Sequence, residues 1–218
     1  MPQSSERIHL KPVYGVNYEP GLVGFSFMPG TFVSEGITIA TGDEAVSGIS
    51  VSHAFLVEDE TYCIEATGEG VVRNHLSHYF GNQYEVYFKR PKEMNAKRAD
   101  LILDAARAKL GQGYSFAGIF GMLTDKLVKL GDRWDVCAGW RNPFNSRSTW
   151  FCSELVAFAL HCLPEYRECA LLKKWHPSRI SPQRLFESDL LEPWSLRTPQ
   201  EVKMRYSAYI TSEEPVRS

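Results

Sequence analysis

Ser52-His53-Ala54-Phe55-Leu56-Val57-Glu58-Asp59-Glu60-Thr61-Tyr62-Cys63-Ile64-Glu65-Ala66 is the stretch that decides the fold class. Branched and aromatic residues lie on both sides of three consecutive acids, the pattern of two strands joined by a polar turn, with strands expected at 48–57 and 61–66. If Glu58-Asp59-Glu60 is the loop, Val57 faces Thr61, Phe55 faces Cys63 and His53 faces Glu65. A two-residue loop instead sets Glu65 opposite Ala54, on the other face of the sheet from His53. Loop length therefore decides whether an imidazole meets a carboxylate.

Further strands are expected upstream at Leu22-Val23-Gly24-Phe25-Ser26-Phe27, closed by the turn pair Pro29-Gly30, and downstream at 71–73 and 84–89, the latter stopping before Pro91. Phe32 to Ala40 fits a strand by its branched residues or a short helix by the shared face of Phe32, Val33, Gly36 and Ile37. From Asn95 the period changes. Ala99, Ile102, Leu103, Ala106 and Leu110 form one helical stripe, with Asn95 as cap and Gly111 as stop. A second helix is expected at 116–130, followed by a segment rich in turn formers and tryptophan, 131–150.

Phe151-Cys152-Ser153-Glu154-Leu155-Val156 opens the next periodic segment, in which Leu155, Val156, Ala159, Cys162 and Leu163 share a face up to Pro164. A thiol at a helix start feels the positive end of the macrodipole and free N–H groups, both of which favour thiolate. Such surroundings, with a neighbouring imidazolium, bring a cysteine pKa from about 8.5 to roughly 3.5 to 7.5. Cys152 is the candidate nucleophile, His53 the candidate base and Glu65 the group that would orient the ring. The backbone N–H of Cys152 is the expected oxyanion donor, with Ser153 or a side chain of the aromatic loop as a second. The bland alternative makes Cys152 a small buried hydrophobe and Glu65 an edge residue facing water.

Bulk properties narrow the classes. At 218 residues the chain suffices for one domain with a substantial core. A formal charge of -2, from 24 basic and 26 acidic residues without a basic block, argues against a nucleic-acid partner. Five cysteines without C-x-x-C spacing fit neither a disulfide framework nor a cysteine-rich zinc site. His75 and His78 lack a nearby third ligand, and the glycine pairs at 68–70 and 111–113 match no phosphate-binding loop. No metal and no cofactor is expected. The start, Met1-Pro2-Gln3-Ser4-Ser5-Glu6-Arg7, has no apolar run, and 18 consecutive apolar residues occur nowhere. The expectation is a soluble, cytoplasmic chain without a transmembrane segment. Subunit number is not legible.

His53 in Ser52-His53-Ala54-Phe55-Leu56-Val57, Glu65 in Ile64-Glu65-Ala66, Tyr114 in Gly113-Tyr114-Ser115-Phe116, and Phe151-Cys152-Ser153-Glu154-Leu155-Val156 together resemble the circularly permuted NlpC/P60 cysteine hydrolases of the YiiX type. His, then Glu, then Cys is the permuted order. Ser34-Glu35-Gly36-Ile37 and Ile180-Ser181-Pro182-Gln183-Arg184-Leu185 extend the likeness to roughly residues 22–190. Ser181 and Pro182 also carry the cap and first-turn signals of a short helix.

The resemblance implies an α+β, permuted papain-like fold, an antiparallel sheet or partial barrel packed against helices. Residues 1–21 would be a lead-in and 191–218 a C-terminal extension. It implies catalytic Cys152, His53 and Glu65, and hydrolysis of amide bonds in peptidoglycan-type or isopeptide substrates. Tyr114, Trp140, Trp150 and Ser153 are candidate cleft or substrate-binding residues. Two departures from the family pattern are Ser115, where aspartate is common, and the Trp-rich segment 131–150. The related lecithin-retinol acyltransferase-like group handles acyl chains, which here would call for an apolar groove lined by Trp140, Phe144 and Trp150. A noncatalytic binding module on the same fold is the third possibility.

Overall fold

The computed structural model describes residues 12–16, 18–30, 45–114 and 149–194. Outside them lie the expected elements at 32–40 and 116–130, the segment 131–148 with Trp140, and the chain beyond residue 194. The described residues form an α+β structure around one open antiparallel sheet. Its strands are β1 (Val23–Phe27), β2 (His53–Val57), β3 (Tyr62–Thr67), β4 (Gly70–His75), β5 (Glu85–Pro91) and β8 (Leu191–Pro193), in the order β4-β3-β2-β1-β5-β8. Two short strands, β6 (Gly113–Tyr114) and β7 (Thr149–Trp150), pair in parallel beside it.

The unbroken apolar run Ala54-Phe55-Leu56-Val57 reflects a strand covered on both faces, rather than one face left to water. Ala54 and Leu56 join Val23, Phe25, Ile64 and Ala66 under the helices. Phe55, Val57 and Cys63 pack on the opposite side with Tyr18, Leu76, Tyr79, Phe88 and Trp194. Phe55 sits directly across from Gly24, and its ring fills the space above that glycine; a Cβ there would lie 2.0 Å from the ring. At the other edge Gly70 has φ 111°, and a Cβ would meet the Gln112 carbonyl at 2.4 Å. Glycine there lets the chain before β6 pair closely with β4, through Val71 N–H to Gln112 O at 2.7 Å.

The hairpin register differs from both sequence readings. Leu56 pairs with Ile64 and Val57 with Cys63, so Glu58 belongs to the ladder and residues 59–61 make the tip. Glu58 is buried between Arg73 of β4 and Arg107, and Arg107 Nε meets it at 2.8 Å. That double pairing draws an acid out of the expected loop. Asp59 Oδ1 accepts from the amides of Thr61 and Tyr62 and closes the tip.

Residues 48–52, where the pattern extends β2, are irregular instead. Their hydrogen bonds go to a side chain: buried Gln183 accepts from Val51 N–H at 2.9 Å and donates to Ile49 O at 2.9 Å. Helix α1 (Ala96–Arg107) begins at Asn95, whose side chain accepts from Arg98 N–H, as the cap signal implies. It stops three residues short of Leu110, which is exposed in the turn that ends at Gly111 with φ 80°.

Helix α2 (Cys152–His161) carries eight buried residues out of ten and packs against β2, β3 and α1. Cys162, expected on its apolar face, falls past the last turn and is exposed. Pro164 opens α3 (Pro164–Arg167). After α4 (Ala170–Lys174) comes a 3-10 turn, Pro177–Arg179, and then α5 (Pro182–Glu187), with Ser181 Oγ accepting from Arg184 N–H as its cap. Among the described residues no helix is long and apolar enough to cross a membrane.

Candidate active site

Cys152 is the first residue of α2 and is 3% exposed. The N-cap, Phe151, offers no side-chain acceptor, so the free N–H groups of the first turn are not consumed by a cap. The sulfur accepts from backbone groups of Ala54 and Ser153 and hydrogen-bonds the His53 ring. Burial alone would hold the thiol neutral, but the His53 charge, that hydrogen bond and the two backbone groups outweigh it and lower the Cys152 pKa.

His53 stands at the first position of β2, and its ring hydrogen-bonds Cys152 at the start of α2. Its Nε2 lies 2.6 Å from Glu65 Oε2, which leaves Nδ1 for the thiol. Burial favours the neutral ring; the negative charge of Cys152 and the bonds to Cys152 and Glu65 prevail and raise the His53 pKa to about 10. The shifts of Cys152, His53 and Glu65 all run in the direction that favours an imidazolium between two anions, a thiolate and a carboxylate.

Glu65 is 1% exposed and nearly every lone pair is used. Oε2 accepts from His53 and from the Tyr79 hydroxyl; Oε1 accepts from Asn74 Nδ2 at 2.9 Å and from Cys63 Sγ at 3.9 Å. Burial pushes the carboxyl up, yet the bonds from His53, Tyr79 and Asn74 bring it down to about 2. The edge-residue alternative for Glu65 does not describe this environment.

The other expected site residues separate. Tyr114 of β6 is close enough that the charges of Cys152 and Glu65, added to its burial, push its phenol pKa upward. It is a protonated hydroxyl near the thiol. Ser153 is fully buried, and its hydroxyl donates to Ile180 O at 2.7 Å, tying α2 to the turn before α5. Its side chain thus lines no cleft; its backbone is what meets the sulfur. Trp150 pairs with Tyr114 across β6 and β7, but its indole N–H goes to Gln112 and its ring packs on Phe158 with centroids 4.9 Å apart.

Trp150 lines a pocket of about 610 Å³ with Lys109, Glu154, Phe158, His161 and Trp175. Residues 154, 158 and 161 lie on the side of α2 opposite Cys152, at roughly 100° per residue. Trp150 therefore faces away from the thiol. His75 and His78 are engaged elsewhere, Nδ1 of His75 with Ser77 and Nε2 of His78 with Tyr84.

Sequence reasoning misses Asn74, Tyr79, Gln183 and the Ala54 backbone. Asn74 and Tyr79 lie in a stretch, 74–80, whose pattern reads as a short helical or turn segment, and nothing local signals that β4 will bring Asn74, and the 3-10 turn after it Tyr79, onto Glu65. Gln183 lies within the Ser181-Pro182 helix start, yet a glutamine in a short helix has no sequence mark that distinguishes a buried latch from a solvated side chain.

No family model matches the chain, and no curated protein matches it in sequence. Among solved structures, the fold is similar to that of metalloprotein yiiX from Escherichia coli O157:H7, DUF1105, with a TM-score of 0.53 and 17% identity, covering 84% of this chain and 99% of that one.

Proposed function

We propose that this chain is a cysteine hydrolase of the permuted NlpC/P60 type that cleaves an amide bond, in a peptidoglycan-type or isopeptide substrate, through an acyl-enzyme on Cys152. The observation that carries this reading is the unbroken line from a helix-start thiol through His53 to a fully buried, ionised Glu65. The order of these residues in the chain, with histidine first, supports the permuted type, and the fold similarity to yiiX is in keeping with it.

In this mechanism the Cys152 thiolate attacks the carbonyl carbon, and the oxyanion takes hydrogen bonds from N–H groups at the start of α2, that of Cys152 first. The His53 Nδ1 proton goes to the leaving amine as the C–N bond breaks, leaving a thioester and neutral imidazole. His53 then takes a proton from water as the oxygen adds to the thioester. Collapse expels the Cys152 thiolate, frees the acid and restores the imidazolium. Glu65 holds Nε2–H throughout and so fixes which nitrogen faces the sulfur.

The yiiX protein is called a metalloprotein. Among the described residues no group of three or more His, Cys, Asp or Glu side chains is placed to hold a metal. Both nitrogens of His53 are engaged, and Glu65 already takes four donors.

The test is trapping. The chain is incubated with peptide amides and, separately, with acyl esters, and the intact mass is read for an adduct on Cys152. An acyl-enzyme from the amides that vanishes in Cys152→Ala supports the proposal. An adduct from acyl esters alone would move the reading to acyl transfer, and no adduct from either would leave a binding module.

A further inference from the structure

We infer that Tyr79 and Asn74 are positioning residues, which hold the Glu65 carboxylate so that its Oε2 is aimed at His53 Nε2 and, through that ring, at Cys152; the inference rests on the catalytic reading above. A carboxylate on a strand has torsional freedom about its side chain, and one bond from His53 would leave it free to swing. Here each oxygen is pinned by a different element. Tyr79, in the 3-10 turn Leu76–Phe80, donates to Oε2, the oxygen that meets His53. Asn74, at the end of β4, donates to Oε1 at 2.9 Å. With both oxygens bonded, the plane of the carboxylate is set before any substrate arrives.

Tyr79 is itself held. Its ring stacks on Phe55 with centroids 4.3 Å apart and planes 11° from parallel, and stands 6.0 Å from the His53 ring. Phe55 in turn fills the space above Gly24. The hydroxyl is thereby delivered to Glu65 by packing from three elements, and burial with the nearby carboxylate keeps it protonated and donating. Both donors face a group that the protein needs charged: without them a carboxyl this buried would drift toward its neutral form and release the ring. The titratable groups that face Glu65 are His53, Tyr79, Cys63, Tyr84 and Tyr114. Of the three tyrosines, Tyr79 is the one bonded to it; Tyr84 instead bonds His78 at 2.8 Å.

The experiment compares the full chain with Tyr79→Phe, Asn74→Ala and Tyr84→Phe. Two quantities are read across pH: the alkylation rate of Cys152, resolved by peptide mass spectrometry, and the imidazole titration of His53 by NMR. Tyr79→Phe keeps the ring on Phe55 and removes only the donor. The expected result is a rise in the Cys152 midpoint on the order of one pH unit, hence roughly tenfold slower alkylation on the acid side, with a fall in the His53 midpoint. Asn74→Ala moves both in the same directions, and Tyr84→Phe moves neither. Unchanged midpoints in Tyr79→Phe and Asn74→Ala, or shifts of equal size in Tyr84→Phe, overturn the inference. Should Tyr79→Phe fail to fold, Asn74→Ala decides alone. If Cys152 of the parent alkylates as an ordinary thiol, indifferent to His53→Ala, the catalytic reading fails instead, and the His53 titration still decides whether Tyr79 and Asn74 position the pair.

Discussion

His53 and Glu65 are two residues out of direct cross-strand register, yet Nε2 of one lies 2.6 Å from Oε2 of the other. The ladder sets Leu56 against Ile64, so Phe55 is level with Glu65 and His53 lies one pleat repeat beyond. A displacement of two keeps both side chains on the same face, and a diagonal neighbour is within reach of a glutamate and an imidazole. A displacement of one would have put them on opposite faces of the sheet.

The pairing sets the shape of a pH profile. Cys152 is expected to alkylate below the ordinary thiol range, to hold a plateau, and to change again near pH 10, where the imidazolium that balances it loses its proton. His53→Ala should abolish the acid-side reactivity and return a single rise near 8.5. The rate of iodoacetamide modification at Cys152 across pH 4–11 checks both features; a parent profile with one rise near 8.5 would be incompatible with the pair.

Glu65 should govern acid stability. Its folded pKa, about 2, lies below its ordinary 4.5, so its contribution is complete above pH 4.5 and is lost as pH falls through 2. In Glu65→Gln the stability lost over that interval should shrink relative to the parent, while the variant is less stable at neutral pH because the charged ring has lost its partner. Urea unfolding at pH 7, 4 and 3 measures both. A parent and variant that lose stability in parallel would show that Glu65 has no special role in the acid limb.

Gly24→Ala tests the packing that carries Tyr79. The new methyl would collide with the Phe55 ring, so the ring must move or the strands must part. The expected cost is about 1–3 kcal/mol of stability, with a fall in Cys152 reactivity toward alkylating agents at pH 6. Thermal unfolding and the alkylation rate are the measurements. Unaltered values for both would mean that Phe55 does not transmit its position to the site.

Gln183→Leu removes the latch on residues 48–52. Val51 N–H and Ile49 O would lose their partner, at a cost of about 1–3 kcal/mol for each group that stays buried. Hydrogen exchange at Val51 should accelerate, and the stretch entering β2 at His53 should loosen with it. Exchange at Val51 as slow as in the parent would show that another acceptor replaces the glutamine.

Much of the framework is legible locally. The cap at Asn95, the Ser181-Pro182 helix start, the strand at Val23–Phe27 and the helix beginning at Cys152 follow from residues adjacent in the chain, because caps and periodicity are short-range effects. The chain also points to Cys152, His53, Glu65 and Tyr114, in part through a resemblance and in part because a thiol at a helix start is electrostatically placed. The end of α1 is not legible in this way, because Leu110 continues the apolar stripe, while the turn to Gly111 is imposed by the need to reach β4.

By itself, then, the sequence determined strands before residue 90, a helix from Asn95, a strand-borne histidine and a helix-start cysteine, since these depend on residue type and spacing alone; the α+β class came from the resemblance. Only the tertiary structure decided whether they meet. The hairpin register turned on Glu58, buried between two arginines from β4 and α1, and no local rule predicts that an acid in an acidic turn will be drawn into a sheet. The donors on Glu65 came from β4 and the turn after it, and Trp150 was turned away from the thiol by its partners Gln112 and Phe158. These outcomes depend on contacts between segments distant in the chain, where packing and the pairing of buried charges select among arrangements that local sequence leaves equal.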